Sequence, residues 1–299
     1  MQSSTLAPGA ARRLRAYPRL SVEWPTRTLG APPYAAGMPE PLHIDRPVDG
    51  VVTLTLDVPD RRNAMTAELT DRWSVVVREL STDSSLRCVI VTGAGPVFCA
   101  GGDLGWIAES PGLTVADVRD RMLPFYRTWL AVRDLPVPVI AAVNGPAVGA
   151  GLCLALACDL RYAAAGARFS APFTALGMHP GMATTFLLRE TIPLPVAREL
   201  LYTGRVLSAD EAAAVGLVNR VVPNENLMTE VLAVANQVAA QAPVATRLLK
   251  AALGAGGPDN FEQALQWEGL AQPVTLVSAD LQEGLAAQRE RRPPRFGGR

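Results

Sequence analysis

The amino-acid sequence predicts an α/β body followed by a helical region. Two short segments with apolar interiors, residues 87–92 and 137–143, are typical of parallel strands that are buried on both faces. Stretches with apolar residues at helical spacing separate these strands. From residue 225 onward only helical patterns occur. We therefore expect an α/β body up to about residue 222 and helices from there to residue 289.

The composition excludes several classes of function. The 299 residues carry 28 Lys and Arg against 28 Asp and Glu, so no charge excess argues for binding to nucleic acid or to an anionic membrane. The uncharged stretch 135–158 contains three prolines and an asparagine, which favours buried core over a membrane span. The four cysteines form no C-x-x-C pair, so we expect free thiols in a reducing cytoplasm and no metal site.

The first 37 residues differ from the rest. Five arginines face a single acid, Glu23, and no apolar period is sustained. We expect a disordered or non-native extension, with Met38 as the alternative start of the chain, although a transit peptide has a similar composition. The expected organisation is an extension at 1–37, an α/β core at 38–222 and a helical region at 223–299.

The first elements of the core follow from periodicity. Residues 42–44 and 50–56 alternate with period two and predict a hairpin. Thr66 is the expected N-cap of a helix whose apolar residues recur at helical spacing. Those apolar residues are Leu69, Trp73, Val76, Val77 and Leu80. Further helices are expected at 115–132 and 148–157.

The later elements are predicted in the same way. Two more strands are expected, at 160–164 and 216–222. The remaining helices are expected at 183–190, 195–203, 209–215, 227–240, 243–253, 260–270 and 276–289.

Two glycine-rich turns each follow a buried strand: FCAGGDL at 98–104 and VNGPAVGAG at 143–151. A strand that turns through glycines into a helix start presents bare backbone N–H groups. Such groups can bind an anion, or the negative charge that develops on a carbonyl oxygen during a reaction. A nucleotide cradle is not expected, because TGAGPVF has Phe98 where a dinucleotide loop needs its third glycine.

Together with PDRRNAM upstream and ADEAAAVGLVNRVVP downstream, these turns resemble the enoyl-CoA hydratase/isomerase family, the crotonase superfamily. The resemblance covers residues 41–299, including the ending RRPPRFGGR. It implies a crotonase-like spiral of ββα repeats with a C-terminal helical region that assembles into trimers or dimers of trimers. It also implies an acyl-CoA substrate, with coenzyme A as part of that substrate and no separate cofactor.

The resemblance also implies roles for individual residues. The N–H groups of Gly102 and Ala150 would polarise the thioester carbonyl and stabilise an enolate. In similar proteins the nucleotide end of coenzyme A lies along residues that match Arg62, Ala64, Ala100, Asp103 and Leu104. A pair of backbone donors that stabilises such a negative charge is called an oxyanion hole, and each donor typically contributes about 10²–10³ in rate.

The sequence departs from the family pattern at the acid and base. Hydratases of this family use two glutamates, and here Cys153 and Phe173 stand at the matching positions, where we expect them to line the pocket. His179 is a candidate acid or base near neutral pH, and a loop histidine bonded to the backbone is the alternative. An aspartate found in dienoyl-CoA isomerases and a haloaryl-CoA dehalogenase aligns with Gly181, which disfavours those two activities.

The other candidate replacements each have an ordinary structural interpretation. A cysteine on an apolar helix face, such as Cys153, is most often inert packing. Asp103 follows the first donor and either acts on the substrate or caps the local backbone, since Gly-Asp before an apolar residue is a turn signal. Glu109 either reaches the pocket or faces solvent. Phe173 suits a pocket for an apolar or aromatic acyl group, with ordinary core packing as the alternative.

Two functions stay open at this point. The first is an enoyl-CoA hydratase- or isomerase-like enzyme of fatty-acid metabolism, a lyase or isomerase with non-standard acid and base residues. The second is a non-catalytic acyl-CoA-binding or carrier protein on the same scaffold. The donors at Gly102 and Ala150 suit both functions, whereas the missing glutamates favour the second. For either one we expect a cytoplasmic location.

Overall fold

The computed structural model describes residues 40–103, 105, 108, 112–254 and 256–298. The extension expected at 1–37 and two candidate residues, Leu104 and Glu109, lie outside this described part. Within it the strands are β1 Leu42–Val48, β2 Val51–Leu56, β3 Cys88–Gly93, β4 Val139–Val143, β5 Ala147–Val148, β6 Leu160–Ala164, β7 Arg168–Ser170, β8 Val206–Ser208 and β9 Arg220–Val222. The helices are α1 Ala67–Thr82, α2 Val115–Leu130, α3 Ala150–Ala157, α4 Thr184–Thr191, α5 Leu194–Thr203, α6 Ala209–Ala214, α7 Leu227–Ala239, α8 Pro243–Leu253, α9 Phe261–Leu276 and α10 Ala279–Glu290.

Six strands form the main sheet in the order β1-β2-β3-β4-β6-β9. The hairpin β1–β2 is antiparallel, as predicted, and every later pair is parallel. The strands β5, β7 and β8 form a second, small sheet. Because the carboxyl ends of parallel strands meet at one edge, the turns after β3 and β4 emerge side by side. The predicted α/β body with a helical C-terminal region is confirmed.

The two faces of the main sheet contribute to separate clusters of buried residues. Val89 and Val91 of β3 join the larger cluster, together with α1 and α3. Cys88 and Ile90 alternate with them and join the second cluster, which α7 covers. This arrangement explains why β3 is mostly apolar and buried along its whole length: neither of its faces meets water.

Helices α1 and α2 are held together by two stacked tryptophans. The rings of Trp73 and Trp129 have centroids 4.9 Å apart and planes tilted by 20°. Each indole N–H donates a hydrogen bond across the interface, from Trp73 to the Thr128 carbonyl and from Trp129 to the Thr70 hydroxyl. The predicted cap also forms, because Thr66 Oγ1 accepts from the Leu69 N–H. These contacts fix the position of α2, which borders the cavity described below.

Several predicted boundaries differ from the structure. The strands β5, β7 and β8 were not expected, since elements of two or three residues show too little periodicity to recognise. The strand predicted at 216–222 is confined to β9, because Gly216 has a φ of 81° and the Leu217 N–H bonds back to the Ala212 carbonyl. The helix predicted at 148–157 begins at Ala150, since Val148 pairs in β5.

The last three helices bury few of their residues. Helix α9 buries none of its residues, although Phe261, Leu270 and Leu276 lie on it and are all more than half exposed. Helix α8 is attached to the body by Lys250, whose Nζ donates to the Val137 carbonyl and pairs with Asp159 at 2.9 Å. No described helix is both long and apolar enough to cross a membrane.

Candidate active site

Residues 99–102 and 147–150 lie side by side and form one wall of a cavity, which we call the donor wall. The Val148 N–H donates to the Cys99 carbonyl at 3.0 Å. The two backbones approach closely: a Cβ on Gly101 would lie 2.6 Å from the Val148 oxygen, and one on Gly151 would overlap the Cys99 oxygen. Glycine is required at both positions because any side chain would separate the two segments.

Two asparagines hold the donor wall in place. Asn144 accepts from the Gly93 N–H and donates to the carbonyls of Gly93 and Gly95, which links the turn after β4 to the turn after β3. The buried Asn63 accepts from the Val58 N–H and donates to the carbonyls of Ala94 and Val97. Each amide replaces backbone partners that the turns would otherwise lack.

Two N–H groups of the donor wall are left without an acceptor among the described residues. One belongs to Gly102, and the other belongs to Ala150, the first residue of α3. The first N–H groups of a helix have no intrahelical partner, and Gly149, the N-cap, has no side chain to supply one. A Cβ on Gly101 would lie 3.2 Å from the Ala150 nitrogen, so the residue before Gly102 lies against the start of α3.

Opposite the donor wall, residues 118–126 of α2 and the segment 172–183 form what we call the apolar wall. Both walls border a cavity of 350 Å³. The described side chains of the apolar wall at the cavity are Val118, Met122, Phe125, Tyr126, Pro172, Phe173, Leu176, Met178, His179 and Met182. The cavity therefore combines unpaired backbone donors on one side with a mostly hydrocarbon surface on the other, a combination common in small-molecule sites.

Phe173 borders the cavity. Its ring is half-buried, and a Cβ on Gly149 would be 3.7 Å from its Cζ, so the ring tip reaches the start of the α3 turn. The side chain that stands at one expected acid position is thus an aromatic ring directed at the donor wall. It supplies apolar surface and no proton-transfer group.

Cys153 does not lie on the cavity surface, contrary to the expectation that it lines the pocket. It is fully buried one turn into α3, and its Sγ lies 2.9 Å from the Thr184 hydroxyl. The hydroxyl donates in turn to the Gly181 carbonyl. Burial raises the pKa of the Cys153 thiol to about 12. A thiol that stays protonated and enclosed at neutral pH is a packing group, not a nucleophile.

His179 borders the cavity but is exposed to solvent. Its Nδ1 lies 2.8 Å from the Pro180 carbonyl, which matches the alternative of a loop histidine bonded to the backbone. Asp103 also matches its structural alternative. Its Oδ1 accepts from the Gly105 N–H at 2.9 Å and pairs with Arg61 at the same distance.

The residues proposed for the coenzyme A end lie beside the donor wall. The Ala100 N–H donates to the Arg62 carbonyl, and the Met65 N–H donates to the Gly101 carbonyl. Arg62 has a φ of 55°, and its side chain is exposed. The structure thus brings Arg62, Ala64 and Ala100 together with the two donors, whereas Leu104 lies outside the described residues.

The sequence prediction missed Tyr126, which borders the cavity from α2. The phenol ring lies against Gly181: a Cβ on that glycine would overlap the hydroxyl oxygen and lie 2.9 Å from Cζ. Burial raises the pKa of the Tyr126 phenol, with a smaller contribution from nearby Cys153. A signal was present in the sequence, because residues 118, 122 and 126 share one helix face.

Comparisons with known proteins identify relatives of this chain. The family model of enoyl-CoA hydratase/isomerase matches residues 47–299. YngF of Bacillus subtilis, which carries the same family name, is 38% identical over 246 residues, or 82% of this chain and 94% of YngF. A short-chain-enoyl-CoA hydratase of Clostridium acetobutylicum is 34% identical over 81% of this chain and 92% of its own length.

Solved structures agree with these relatives. The crystal structure of an enoyl-CoA hydratase from Bacillus anthracis is 36% identical and has a TM-score of 0.81, covering 87% of this chain and 100% of its own. The enoyl-CoA hydratase of Mycobacterium smegmatis is 32% identical with a TM-score of 0.79, covering 87% and 99%. The predicted crotonase-like fold is therefore confirmed, and the chain belongs to the enoyl-CoA hydratase/isomerase family of the crotonase superfamily.

Proposed function

We propose that this protein binds acyl-CoA thioesters and polarises the thioester carbonyl between the N–H groups of Gly102 and Ala150. In this role it stabilises a thioester enolate during hydration or isomerisation of an enoyl-CoA in fatty-acid metabolism. The observation that carries the proposal is the pair of unpaired N–H groups on a cavity whose opposite wall is apolar. Coenzyme A enters as part of the substrate, and its nucleotide end follows Arg62, Ala64, Ala100, Asp103 and Leu104.

A second candidate function is favoured by a specific observation. Among the described residues that border the cavity there is no carboxylate, since Phe173 and the enclosed Cys153 occupy the expected acid positions. Loss of a positioned acid or base typically costs about 10²–10⁴ in rate. The alternative is therefore a non-catalytic acyl-CoA-binding or carrier protein, in which the same two donors hold the thioester in its ground state.

The two functions are separated by measuring binding and turnover on the same preparation. Calorimetric titration with saturated acyl-CoA thioesters tests binding, and loss of the conjugated thioester absorbance tests turnover of an enoyl-CoA panel. Binding together with turnover supports the enzyme, and His179→Ala then asks whether that histidine moves the pH–rate profile. Binding with no turnover on any panel member supports the carrier. Absence of both contradicts the proposed site.

We further propose that the chain self-associates as a trimer or a dimer of trimers through its C-terminal helices. Several large apolar side chains there are more than half exposed, which is unusual for a free surface. They include Leu249, Leu253, Phe261, Leu270 and Val277. Sedimentation equilibrium should give a mass at least three times that of one chain, and Leu270→Glu should lower it. A wild-type monomer would contradict this assignment.

A further inference from the structure

The cavity offers one partly buried polar side-chain group. Of the described side chains that border it, only Tyr126 and His179 carry an oxygen or nitrogen atom. The His179 ring is exposed and already engages the Pro180 carbonyl. The Tyr126 phenol is half-buried, and its hydroxyl has no hydrogen-bond partner among the described residues. The cavity thus holds a single side-chain hydroxyl, and this hydroxyl stands in the mostly apolar wall.

The fold keeps this hydroxyl in one place. Gly181 leaves the space that the phenol occupies, since any Cβ at that position would overlap the oxygen. The ring of Phe125 meets that of Tyr126 edge to face, with centroids 6.2 Å apart, and both rings pack on the larger core cluster. A hydroxyl at a fixed position discriminates between ligands more strongly than a mobile one.

We infer that Tyr126 selects acyl groups that carry a second oxygen, beyond the thioester carbonyl, which accepts a hydrogen bond from the phenol. A purely hydrocarbon acyl chain would displace water from the hydroxyl and leave it unpaired. Leaving a buried polar group unpaired costs about 1–3 kcal/mol, whereas an acyl oxygen at the right position restores the bond. This inference rests on the proposed acyl-CoA binding and adds the chemical class of the acyl group.

The phenol acts here as a donor. Its raised pKa keeps it protonated at neutral pH, so it favours acceptor oxygens on the ligand. It is a specificity-determining residue in this role and is not assigned a proton-transfer step. The pair of hexanoyl-CoA and its oxo derivatives isolates the effect, because each oxo isomer adds one acceptor with little change in volume.

The test compares dissociation constants measured by calorimetry for hexanoyl-CoA and for oxohexanoyl-CoA isomers with the carbonyl at successive chain positions. For the wild type we expect the best oxo isomer to bind about tenfold more tightly than hexanoyl-CoA, which corresponds to about 1.4 kcal/mol. In Tyr126→Phe this ratio should fall to about one. Tyr162→Phe is the matched control, since Tyr162 packs against the second core cluster, and it should keep the wild-type ratio.

A second variant tests the geometry without removing the hydroxyl. Gly181→Ala places a methyl group where the phenol oxygen now lies, so the ratio should fall here too. If the wild type binds hexanoyl-CoA but no oxo isomer better, or if Tyr126→Phe keeps the preference, the inference is wrong while acyl-CoA binding stands. If the wild type binds none of these thioesters, the proposed function fails and this inference fails with it.

Discussion

The two walls of the cavity are built in different ways. The donor wall presents backbone, and it bends at Gly101 and Gly149, whose positive φ values of 98° and 55° cost glycine little. The apolar wall presents side chains, and it bends at Met182 and Ala183, whose φ values are 50° and 54°. A residue with a Cβ is strained in that region.

This difference separates the two tasks that the proposed function needs. Donors that belong to the main chain keep their direction whatever side chains face them across the cavity. Phe173 therefore changes the chemistry of the apolar wall and leaves the Gly102 and Ala150 N–H groups in place. In the proposed function, thioester binding and proton transfer would therefore be carried by separable parts of this fold.

The largest expected effect comes from the donor wall, in Ala150→Pro. Proline fits the first position of a helix, because the N–H that it lacks has no intrahelical partner there. We expect kcat/KM for any enoyl-CoA that is turned over to fall about 10²–10³-fold. If the protein only binds acyl-CoA, the same variant should raise the Kd measured by calorimetry.

A matched proline variant controls for effects on folding. Ala279 is the exposed first residue of α10, far along the chain from the donor wall, so Ala279→Pro should leave activity and affinity unchanged. Unchanged values in Ala150→Pro as well would show that the donors are placed wrongly.

The next effect concerns the apolar wall, in Phe173→Glu. The ring is half-buried and faces both the cavity and the donor wall, so a carboxylate there can stay solvated and approach a bound thioester. We expect the hydration rate of an enoyl-CoA to rise about 10²-fold, the lower end for a positioned acid or base. Phe173→Gln, similar in size and without the titratable group, should give no gain. Equal rates in the two variants would show that position 173 cannot supply the missing base.

The sequence was sufficient for most of the fold and for the donor wall. Buried strands with apolar interiors and helix caps such as Thr66 depend on patterns among neighbouring residues, which the sequence shows directly. The turn at Gly149 was recognisable because glycine, a strand before it and a helix after it are all local features. The two asparagines that fix these turns, Asn63 and Asn144, were missed, since their partners lie about thirty to fifty residues away.

The apolar wall was harder to predict for a physical reason. Alignment places Cys153 at an acid position, but whether a side chain reaches the cavity depends on packing, and here Thr184 and Gly181 enclose the thiol. Tyr126 was read only as part of an amphipathic helix. Its exposure to the cavity depends on the missing side chain of Gly181, a contact across fifty-five positions that no periodicity reports.

A smaller effect, on the pH dependence of stability, is expected from the buried thiol of Cys153. Burial raises the pKa of each of the four thiols, Cys153 among them, from 9.0 to about 12. The folded state therefore holds more protons than the unfolded state between pH 9 and pH 12, so stability is complete below this window and falls as pH rises through it. Each thiol should lower the free energy of unfolding by about 1.4 kcal/mol per pH unit there.

Urea unfolding at several pH values within this window measures the effect. Cys153→Ala removes one of the thiols, so its stability should decline with pH less steeply than that of the wild type by about 1.4 kcal/mol per unit. Parallel declines in the two proteins would mean that the Cys153 thiol ionises in the folded state and is accessible after all.

The smallest effect tests the strain in the apolar wall, in Ala183→Gly. Ala183 is exposed and stands at the N-cap of α4 with φ 54° and ψ 21°, so removing its Cβ relieves the left-handed conformation without opening a cavity. The gain exceeds the extra backbone entropy that glycine loses on folding, and we expect about 0.5–1 kcal/mol of added stability in urea unfolding. Ala213→Gly, at an exposed position inside α6, should change stability in the opposite direction by about 1 kcal/mol. A loss of stability in both variants would mean that the bend at 182–183 carries no strain, and the two walls would then differ only in chemistry.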